Sequence, residues 1–257
     1  MTNFAILILS CDKYEDIWEP FFCCMKAKWS NNKYPVYLLT NKKVYNKYGV
    51  NSICVGDDIS WSYNVKKALT KIPQDNILTI FDDLFIKTNV DTVLLDKLIK
   101  DFIDYDMNYL RLNPVPKPAG KLHHNSIRTI EKGELYRSSA VFSIWKKDVL
   151  IDIINDKENA WEFEIIGSNR TDKYDRWYGN TEYVIPFYNL IIKGKYDPAV
   201  YRILTKENIK LSSNREIMSM RECYLWKIKK IRSKLFQLLI PWRLRRGIRS
   251  KFDIYKK

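Results

Sequence analysis

The sequence predicts an α/β fold in which helices flank a mixed, mostly parallel β-sheet. Short apolar runs alternate with stretches of helical periodicity over roughly the first hundred of the 257 residues. This pattern is typical of parallel strands joined by crossover helices. Polar residues follow two of these runs directly, at Ser10 to Asp12 and at Asp82 and Asp83. Such sheets bind ligands at the carboxyl ends of their strands, so these positions predict a site.

Four strands and three helices are predicted in the first part of the chain. The strands are the apolar runs Phe4–Leu9, Val36–Thr40, 52–55 and Asn76–Phe81. The helices cover about 18–28, 62–72 and 89–103. Ser62 and Asn89 are residue types favoured at helix N-caps, and apolar side chains recur on one face of the last two helices.

The remaining elements are predicted to be shorter. Residues 113–120 form a proline-rich irregular connection, and residues 135–150 indicate a strand that continues into a helix. Residues 159–170 indicate a short helix followed by a Gly-Ser loop, and residues 188–196 a strand that ends in a basic turn.

Composition indicates a folded protein with reduced thiols. Hydrophobic residues make up 46% of the chain and charged residues 29%, which argues against a disordered chain. The five cysteines form no Cys-x-x-Cys pair, and only two histidines are present. We therefore expect a cytoplasmic protein without a structural zinc site. The apolar run Phe4–Leu9 is too short for a signal peptide or a membrane span.

Positive charge is concentrated at the C-terminus. The net charge is +14, and residues 224–257 contain twelve basic residues against one acid, Asp253. Apolar residues recur among them at helical spacing until Pro241, which is expected to break or kink the helix. This pattern predicts a basic amphipathic helix that lies on an anionic membrane surface, with Trp242 and Phe252 as interfacial anchors.

Two alternatives apply to this C-terminal segment. The apolar stripe could pack against the rest of the protein, or the positive charge could bind nucleic acid. Nucleic acid is not expected as a partner, because the rest of the chain is nearly neutral and contains no nucleic-acid-binding motif.

The adjacent carboxylates Asp82 and Asp83 are the main candidates for chemistry. Adjacent carboxylates repel each other unless a cation or strong hydrogen-bond donors lie between them. Mg²⁺ or Mn²⁺ binds such oxygens and completes its ligand set with water and substrate phosphates. The alternative is that either aspartate only caps the following turn.

The order of several segments resembles the GT-A-fold glycosyltransferases, in particular bacterial enzymes that build capsule, O-antigen or lipooligosaccharide chains. The similarity extends over about residues 3–201. The segments that carry it are ILILSCDKYEDIWEPFF, WSYNVKKALTKI, NILTIF with DDLF, YRSSAVFSIWKKDVL, WEFEIIGS and NLIIKGKY. The resemblance implies a catalytic domain, 1–214, with a donor half of about 1–112 and an acceptor half of about 113–214. The C-terminal membrane-association segment is then 215–257.

This resemblance also implies roles for individual residues. The residues expected to line the nucleotide pocket are Ser10, Cys11, Asp12 and Tyr14. Those expected to face the donor sugar nucleotide are Trp61, Ser62 and Lys66. Asp82 and Asp83 stand where the family has its D-x-D metal motif, but residue 84 is Leu. Either Asp82 is the first member and the second is lost, or Asp83 is the last member and Phe81 replaces the first. The sequence therefore leaves open whether the protein depends on Mn²⁺ or Mg²⁺ or works without a metal.

A catalytic base is expected in the WEFE segment. An inverting transferase needs a carboxylate that takes the proton of the attacking hydroxyl. Glu162 and Glu164 are two residues apart, so on a helix at most one of them faces the cleft. Glu164 lies three residues after Trp161, whose ring could raise the carboxylate pKa, and is preferred over Glu162. The alternative is an ordinary helix start, where acidic residues are favoured.

Basic residues are expected to contact the donor diphosphate. Lys193 and Lys195 flank Gly194, and they could supply positive charge if a metal is missing. Further candidates for anion contacts are Arg111, Arg137 and Arg170.

Together with the basic C-terminal segment, the resemblance implies a glycosyltransferase on the inner face of the cell membrane. It would move a sugar from a nucleotide-sugar donor to a lipid-linked saccharide. One alternative is a sugar-phosphate nucleotidyltransferase, against which the missing Gly-rich loop near Ser10 argues. The other is a non-catalytic protein that binds membrane surfaces or nucleic acid.

Overall fold

The computed structural model describes the backbone of residues 3–253 and the side chains of residues 3–249. The strands are β1 (Phe4–Leu9), β2 (Val36–Thr40), β3 (Val50–Cys54), β4 (Asn76–Phe81), β5 (Leu84–Ile86), β6 (Tyr109–Arg111), β7 (Leu122–His124), β8 (Ile127–Thr129), β9 (Ser143–Lys146), β10 (Trp177–Asn180), β11 (Phe187–Asn189), β12 (Ile191–Ile192) and β13 (Lys195–Tyr196). The α-helices are α1 (Glu15–Lys28), α2 (Trp61–Leu69), α3 (Thr92–Asp104), α4 (Lys147–Ile153), α5 (Ala160–Arg170), α6 (Pro198–Lys206), α7 (Met220–Leu239) and α8 (Trp242–Asp253).

A nine-stranded mixed sheet forms the centre of the protein, in the order β3-β2-β1-β4-β9-β6-β10-β8-β7. The four neighbouring strands β3, β2, β1 and β4 run parallel to one another, and β6 runs parallel to β10. Strand β9 enters antiparallel between β4 and β6. The predicted α/β architecture with a mixed, mostly parallel sheet is therefore confirmed.

Helices cover both faces of this sheet. Every residue of β1 is buried, because an unbroken apolar run suits a strand that is covered on both sides. One core cluster contains residues of α1 and α3, and the other contains residues of α2, α4 and α5. The helices therefore leave the carboxyl ends of β1 and β4 as an open edge between the two cores.

Two predicted N-caps lie at other residues. Helix α2 begins at Trp61, and the Ser60 hydroxyl accepts the Tyr63 amide at 2.9 Å, so Ser60 is the cap instead of Ser62. Helix α3 begins at Thr92 and is capped by Asp91 instead of Asn89. In both cases the segment contains several suitable cap residues, and side-chain packing selects one of them.

The Gly-Ser loop predicted after the WEFE segment is part of helix α5. The Ser168 hydroxyl donates to the Glu164 carbonyl one turn earlier, at 2.6 Å. A Cβ atom at Gly167 would lie 3.2 Å from both the Phe163 ring and the Ser138 hydroxyl. Close packing, rather than a turn, accounts for this glycine.

The C-terminal segment forms two helices, and the predicted break at Pro241 is confirmed. No residue of α7 is buried. Helix α8 lies against the body, where the Arg246 guanidinium donates to the Glu134 carbonyl at 2.7 Å and pairs with Asp172. Trp242, predicted as a membrane anchor, is half-buried and lines a small crevice beside Leu135 and Tyr136. The side chains of Lys251, Phe252, Lys256 and Lys257 lie outside the described residues.

No helix within residues 3–253 is both long enough and apolar enough to cross a membrane.

Candidate active site

A cavity of about 520 Å³ opens at the carboxyl ends of β1 and β4. Leu9 and Phe81 are paired in register at the ends of these two strands. The residues that follow each strand therefore meet across the sheet edge. This register brings the predicted residues Ser10, Cys11, Tyr14, Trp61, Asp82 and Asp83 together in the cavity wall.

Asp82 is a buried carboxylate, with only 4% of the residue exposed. The Ser10 hydroxyl donates to it, and the Trp18 indole N–H donates to the Ser10 oxygen at 2.7 Å. Burial raises the pKa of Asp82 well above its usual range, and neighbouring Asp83 raises it further, while the Ser10 hydrogen bond opposes both. Asp82 is therefore held in one orientation, and its buried environment disfavours the ionised form of the carboxyl group.

Asp83 is the more accessible carboxylate of the two. Burial raises its pKa to about 6, against the opposing influence of a backbone amide and of Arg215. Its own carbonyl accepts the Leu190 amide at 2.9 Å, which anchors the turn after β4. This group is therefore poised to change its protonation state, or to accept a cation, near neutral pH.

Aromatic rings form the walls of the cavity. The Trp61 ring stacks on Phe81 with 6.1 Å between ring centroids, and it also contacts Phe163. Tyr14 also lines the cavity, and burial raises the pKa of its hydroxyl to about 12, so this group stays neutral. Apolar walls around a few convergent polar groups are characteristic of small-ligand sites.

Three residues of this region, Asp58, Asn64 and Arg215, were not among the predicted site residues. The Asn64 amide donates to Asp58 at 2.8 Å, and both side chains line the cavity. Arg215 places its guanidinium 4.8 Å from the centre of the Tyr14 ring and binds Asp16 with two nitrogens, at 2.6 and 2.9 Å. Arg215 lies in the predicted tail, yet it contacts Tyr14 in the wall of the cavity.

Asp12 does not offer a free carboxylate to a nucleotide. Its oxygens accept backbone amides of Asn41, Lys42 and Lys43 at 2.9 to 3.3 Å. The Asn41 side chain accepts the Asp12 amide in return, at 3.0 Å. Asp12 thus joins the loops after β1 and β2, and its predicted role is corrected from ligand contact to loop positioning.

Ser62 and Lys66 do not line the cavity, contrary to the prediction. Ser62 is fully buried in the first turn of α2. Lys66 is directed to Asp156, with its ammonium nitrogen 3.1 Å from the carboxylate. The helix begins one residue earlier than predicted, and Trp61 occupies the position that faces the cavity.

Glu164 and Glu162 have different environments on α5. Ala160 lines the cavity, and Glu164 lies one turn later on the same helix face. Its carboxylate oxygen Oε1 accepts the Ser139 hydroxyl at 2.7 Å and the Ala140 amide at 3.2 Å, and burial raises its pKa. Glu162 instead completes the capping box of α5 with Asn159, which makes it a structural residue.

Lys193 and Lys195 lie in a second cavity, of about 590 Å³. The Lys195 ammonium pairs with Glu216 at 2.8 Å and with Glu222 at 3.0 Å, so it is already neutralised. Lys193 is exposed at the tip of the turn between β12 and β13.

The three arginines proposed for anion contacts have structural roles instead. Arg111 and Arg137 are buried and donate to backbone carbonyls. Arg170 forms a two-point ion pair with Glu158, at 2.5 and 2.8 Å.

The residues present fit a divalent cation only if a ligand completes the site. The described side chains contain no group of three or more His, Cys, Asp or Glu residues placed to hold a metal. Asp82 and Asp83 provide two carboxylates with raised pKa values. A cation bound between them would favour their ionised forms and remove this electrostatic cost. Mg²⁺ and Mn²⁺ accept such a pair when substrate phosphate and water supply the other oxygens.

No protein-family model matches the sequence, and no curated protein matches it either. Solved structures do match. Residues 1–349 of S. aureus TarS, in complex with UDP-GlcNAc, align with a TM-score of 0.53 and 12% identity, covering 81% of this chain and 67% of that chain. Without the ligand, TarS 1–349 also aligns at 0.53, over 98% and 73% of the two chains.

The similarity establishes the fold. At 12% identity it confirms the predicted GT-A-like architecture and assigns no activity to this chain. A cytidylyltransferase from Leptospira borgpetersenii aligns with a TM-score of 0.47 and 14% identity, over 85% of this chain and 100% of that chain. This weaker similarity does not support any argument about function.

Replacing Asp83 by asparagine should stabilise the protein at high pH. The folded-state pKa, about 6, lies above the ordinary value of 3.8, so the folded protein keeps a proton that the unfolded chain loses. The ionised group therefore costs stability above pH 6, and D83N should raise the free energy of unfolding at pH 8 by up to about 3 kcal/mol. At pH 4 the gain should fall below about 1 kcal/mol. Urea unfolding at the two pH values measures both.

Asp175→Asn is the matched control, because Asp175 is exposed and pairs with Lys132 at 2.8 Å. It should give no stabilisation at pH 8. A D83N protein that is less stable than the wild type at pH 8 would show that Asp83 is an ordinary turn residue.

Proposed function

We propose that this protein is a glycosyltransferase that moves a sugar from a nucleotide-sugar donor to a saccharide hydroxyl. The observation that carries the proposal is the position of Glu164, one helical turn from the cavity that holds Asp82 and Asp83. A carboxylate pair for the donor and a separate carboxylate for the acceptor are the groups that this reaction needs. S. aureus TarS, which shares the fold, binds UDP-GlcNAc.

In this proposal Glu164 acts as the general base. The acceptor hydroxyl loses its proton to the Glu164 carboxylate as the hydroxyl oxygen bonds to the anomeric carbon of the donor sugar. The bond from that carbon to the diphosphate oxygen breaks, and a nucleoside diphosphate leaves. Ser139 and Ala140 both donate to Oε1, so we assign the proton to Oε2. The raised pKa of Glu164 brings its basicity closer to the working pH.

The donor would lie between the Trp61 and Tyr14 rings, with its diphosphate toward Asp83. If Mn²⁺ or Mg²⁺ is bound, Asp83 and Asp82 would hold it, and it would supply positive charge to the departing diphosphate. Arg215, which already lowers the pKa of both aspartates, contributes positive charge with or without a metal.

We further propose that the acceptor is linked to a lipid and that α7 rests on an anionic membrane. Exposed apolar side chains follow one another along α7 at spacings of three and four residues. These residues are Tyr224, Ile228, Ile231, Leu235 and Leu238. Lysines and arginines lie between them, and such a combination favours an anionic lipid surface over water. In this proposal the enzyme works at the inner face of the cell membrane.

Glu164→Gln should reduce kcat by about 10²- to 10⁴-fold, because the amide cannot take the proton. The amide oxygen can still accept from Ser139, so binding of the nucleotide-sugar donor should stay unchanged. Glu162→Gln is the matched control, since glutamine preserves a capping box. Sugar transfer to a saccharide acceptor, with calorimetric donor binding in parallel, measures both.

Equal loss of activity in the two variants would contradict the role of Glu164. Release of pyrophosphate from a nucleoside triphosphate and a sugar phosphate, with no glycosyl transfer, would identify a nucleotidyltransferase instead.

Membrane binding should depend on the apolar row of α7. Ile231→Glu and Leu238→Glu, at positions 58% and 79% exposed, should each weaken binding to vesicles with anionic lipid at least about tenfold. Val93→Glu, at an exposed apolar position on α3, is the control and should leave binding unchanged. Vesicle sedimentation gives the partition coefficients.

If neither Ile231→Glu nor Leu238→Glu weakens sedimentation relative to the Val93→Glu control, or if vesicles of zwitterionic lipid alone bind equally well, the membrane proposal is wrong. Concentration-dependent association without vesicles would indicate that α7 contacts a second copy of the chain.

A further inference from the structure

The candidate active-site cavity extends along the sheet edge beyond the aspartate pair. Asp82 and Asp83 follow β4, whereas Leu39, which also lines the cavity, belongs to β2, and β1 lies between these two strands. Neighbouring strands lie about 4.8 Å apart, so β4 and β2 are separated by about 10 Å. This length leaves room for a ribose and a base beside a diphosphate that is bound near Asp83.

Asn64 lies in the wall of the cavity on this β2 side. Asp58 belongs to the connection from β3, the strand beyond β2, to helix α2, and Asn64 lies on α2 three residues after Trp61. Side chains on a helix lean toward its N-terminus, so the Asn64 amide is directed to the start of α2, where Asp58 and Ser60 line the cavity. Its nitrogen Nδ2 donates to Asp58 at 2.8 Å, which fixes the orientation of the amide.

The amide oxygen of Asn64 lacks a donor. Only 4% of the residue is exposed, and Oδ1 has no hydrogen-bond partner among the described residues. Buried polar atoms in folded proteins are nearly always paired, because an unpaired one costs free energy. Exchanging the amide oxygen and nitrogen by rotation does not help, since the Asp58 carboxylate can only accept and would then face an oxygen. Oδ1 is therefore available to an N–H or O–H of a ligand.

The other groups on this side of the cavity are largely apolar. Leu9, Leu39 and Ile59 line it, and Ile59 is 65% exposed at present. Burial raises the pKa of the Cys11 thiol, so this neighbouring group stays neutral. Apolar walls with one oriented acceptor suit a flat ring that carries an N–H, and a nucleobase is such a ring.

We propose that Asn64 determines which base the donor nucleotide carries, because Oδ1 accepts an N–H from the Watson–Crick edge of that base. The four bases place their N–H groups and their acceptor atoms at different positions on this edge. A fixed acceptor therefore favours a base whose N–H meets it and disfavours one that presents an oxygen or a ring nitrogen there. This inference rests on the proposed function, since its ligand is the nucleotide part of the donor.

Calorimetry with UDP, CDP, ADP and GDP tests the assignment. The wild-type protein should prefer one of them, and Asn64→Leu should weaken that one about tenfold or more and reduce the preference. Leucine is similar in size to asparagine, and the melting temperature checks that the variant folds. Asn169→Leu is the matched control, because Asn169 is exposed on α5 and lines neither cavity.

A second measurement does not depend on the folding of a variant. The preferred nucleotide is compared with its analogue in which the N–H groups of the Watson–Crick edge are methylated. The wild-type protein should bind the methylated analogue at least about tenfold more weakly. In N64L the methyl groups should have a smaller effect, because the contact that they remove is already absent.

Equal affinity of wild type and N64L for the preferred nucleotide, or an equal loss in N169L, overturns the assignment of Asn64. The proposed glycosyltransferase function then still stands, because the nucleotide binds. An equal weakening of all four nucleotides in N64L, with no effect of methylation, also overturns it and assigns Oδ1 to a ribose hydroxyl. If none of the four nucleotides binds to the wild-type protein, both this inference and the proposed function are contradicted.

Discussion

The burial of two adjacent carboxylates at the end of β4 is the constraint on which the site depends. Water would stabilise Asp82 and Asp83 far better than this cavity does, and their raised pKa values reflect that cost. The surrounding structure offsets part of it: the Ser10 hydroxyl donates to Asp82, and the positive charge of Arg215 lies nearby. A protein that needed only a turn after β4 would not require a charged pair there.

The two halves of the sheet contribute different parts of the site. The parallel half brings the ends of β1 and β4 together, so that the carboxylates and the Tyr14 wall meet at one edge. The antiparallel insertion of β9 brings in the loop that carries Ser139, which orients Glu164. Buried Arg111 donates to the Tyr136 carbonyl of this loop, and Arg137, which lies in the loop, donates to the carbonyls of Thr171 and Tyr174. These bonds explain why the two guanidinium groups are unavailable to anions.

The local sequence pattern predicts the strands and the position of the acidic pair at a strand end. An apolar run that ends in two aspartates can be recognised without any tertiary information. The sequence-based preference for Glu164 over Glu162 rests on its spacing from Trp161, and the structure adds that Glu162 completes a capping box. Arg215 could not be predicted, because its partner Asp16 is 199 residues away and only the fold brings them together. Asp12 and Lys66 are misassigned for the same reason: their partners, the amides after β2 and Asp156, are distant in sequence.

A crystal structure with a nucleoside diphosphate and Mn²⁺ tests the central claim most directly. The account predicts the nucleotide between the Trp61 and Tyr14 rings, with the cation within about 2.0–2.3 Å of an Asp83 carboxylate oxygen, as direct coordination requires. A nucleotide bound at another surface, with both aspartates still in contact only with protein, would contradict it.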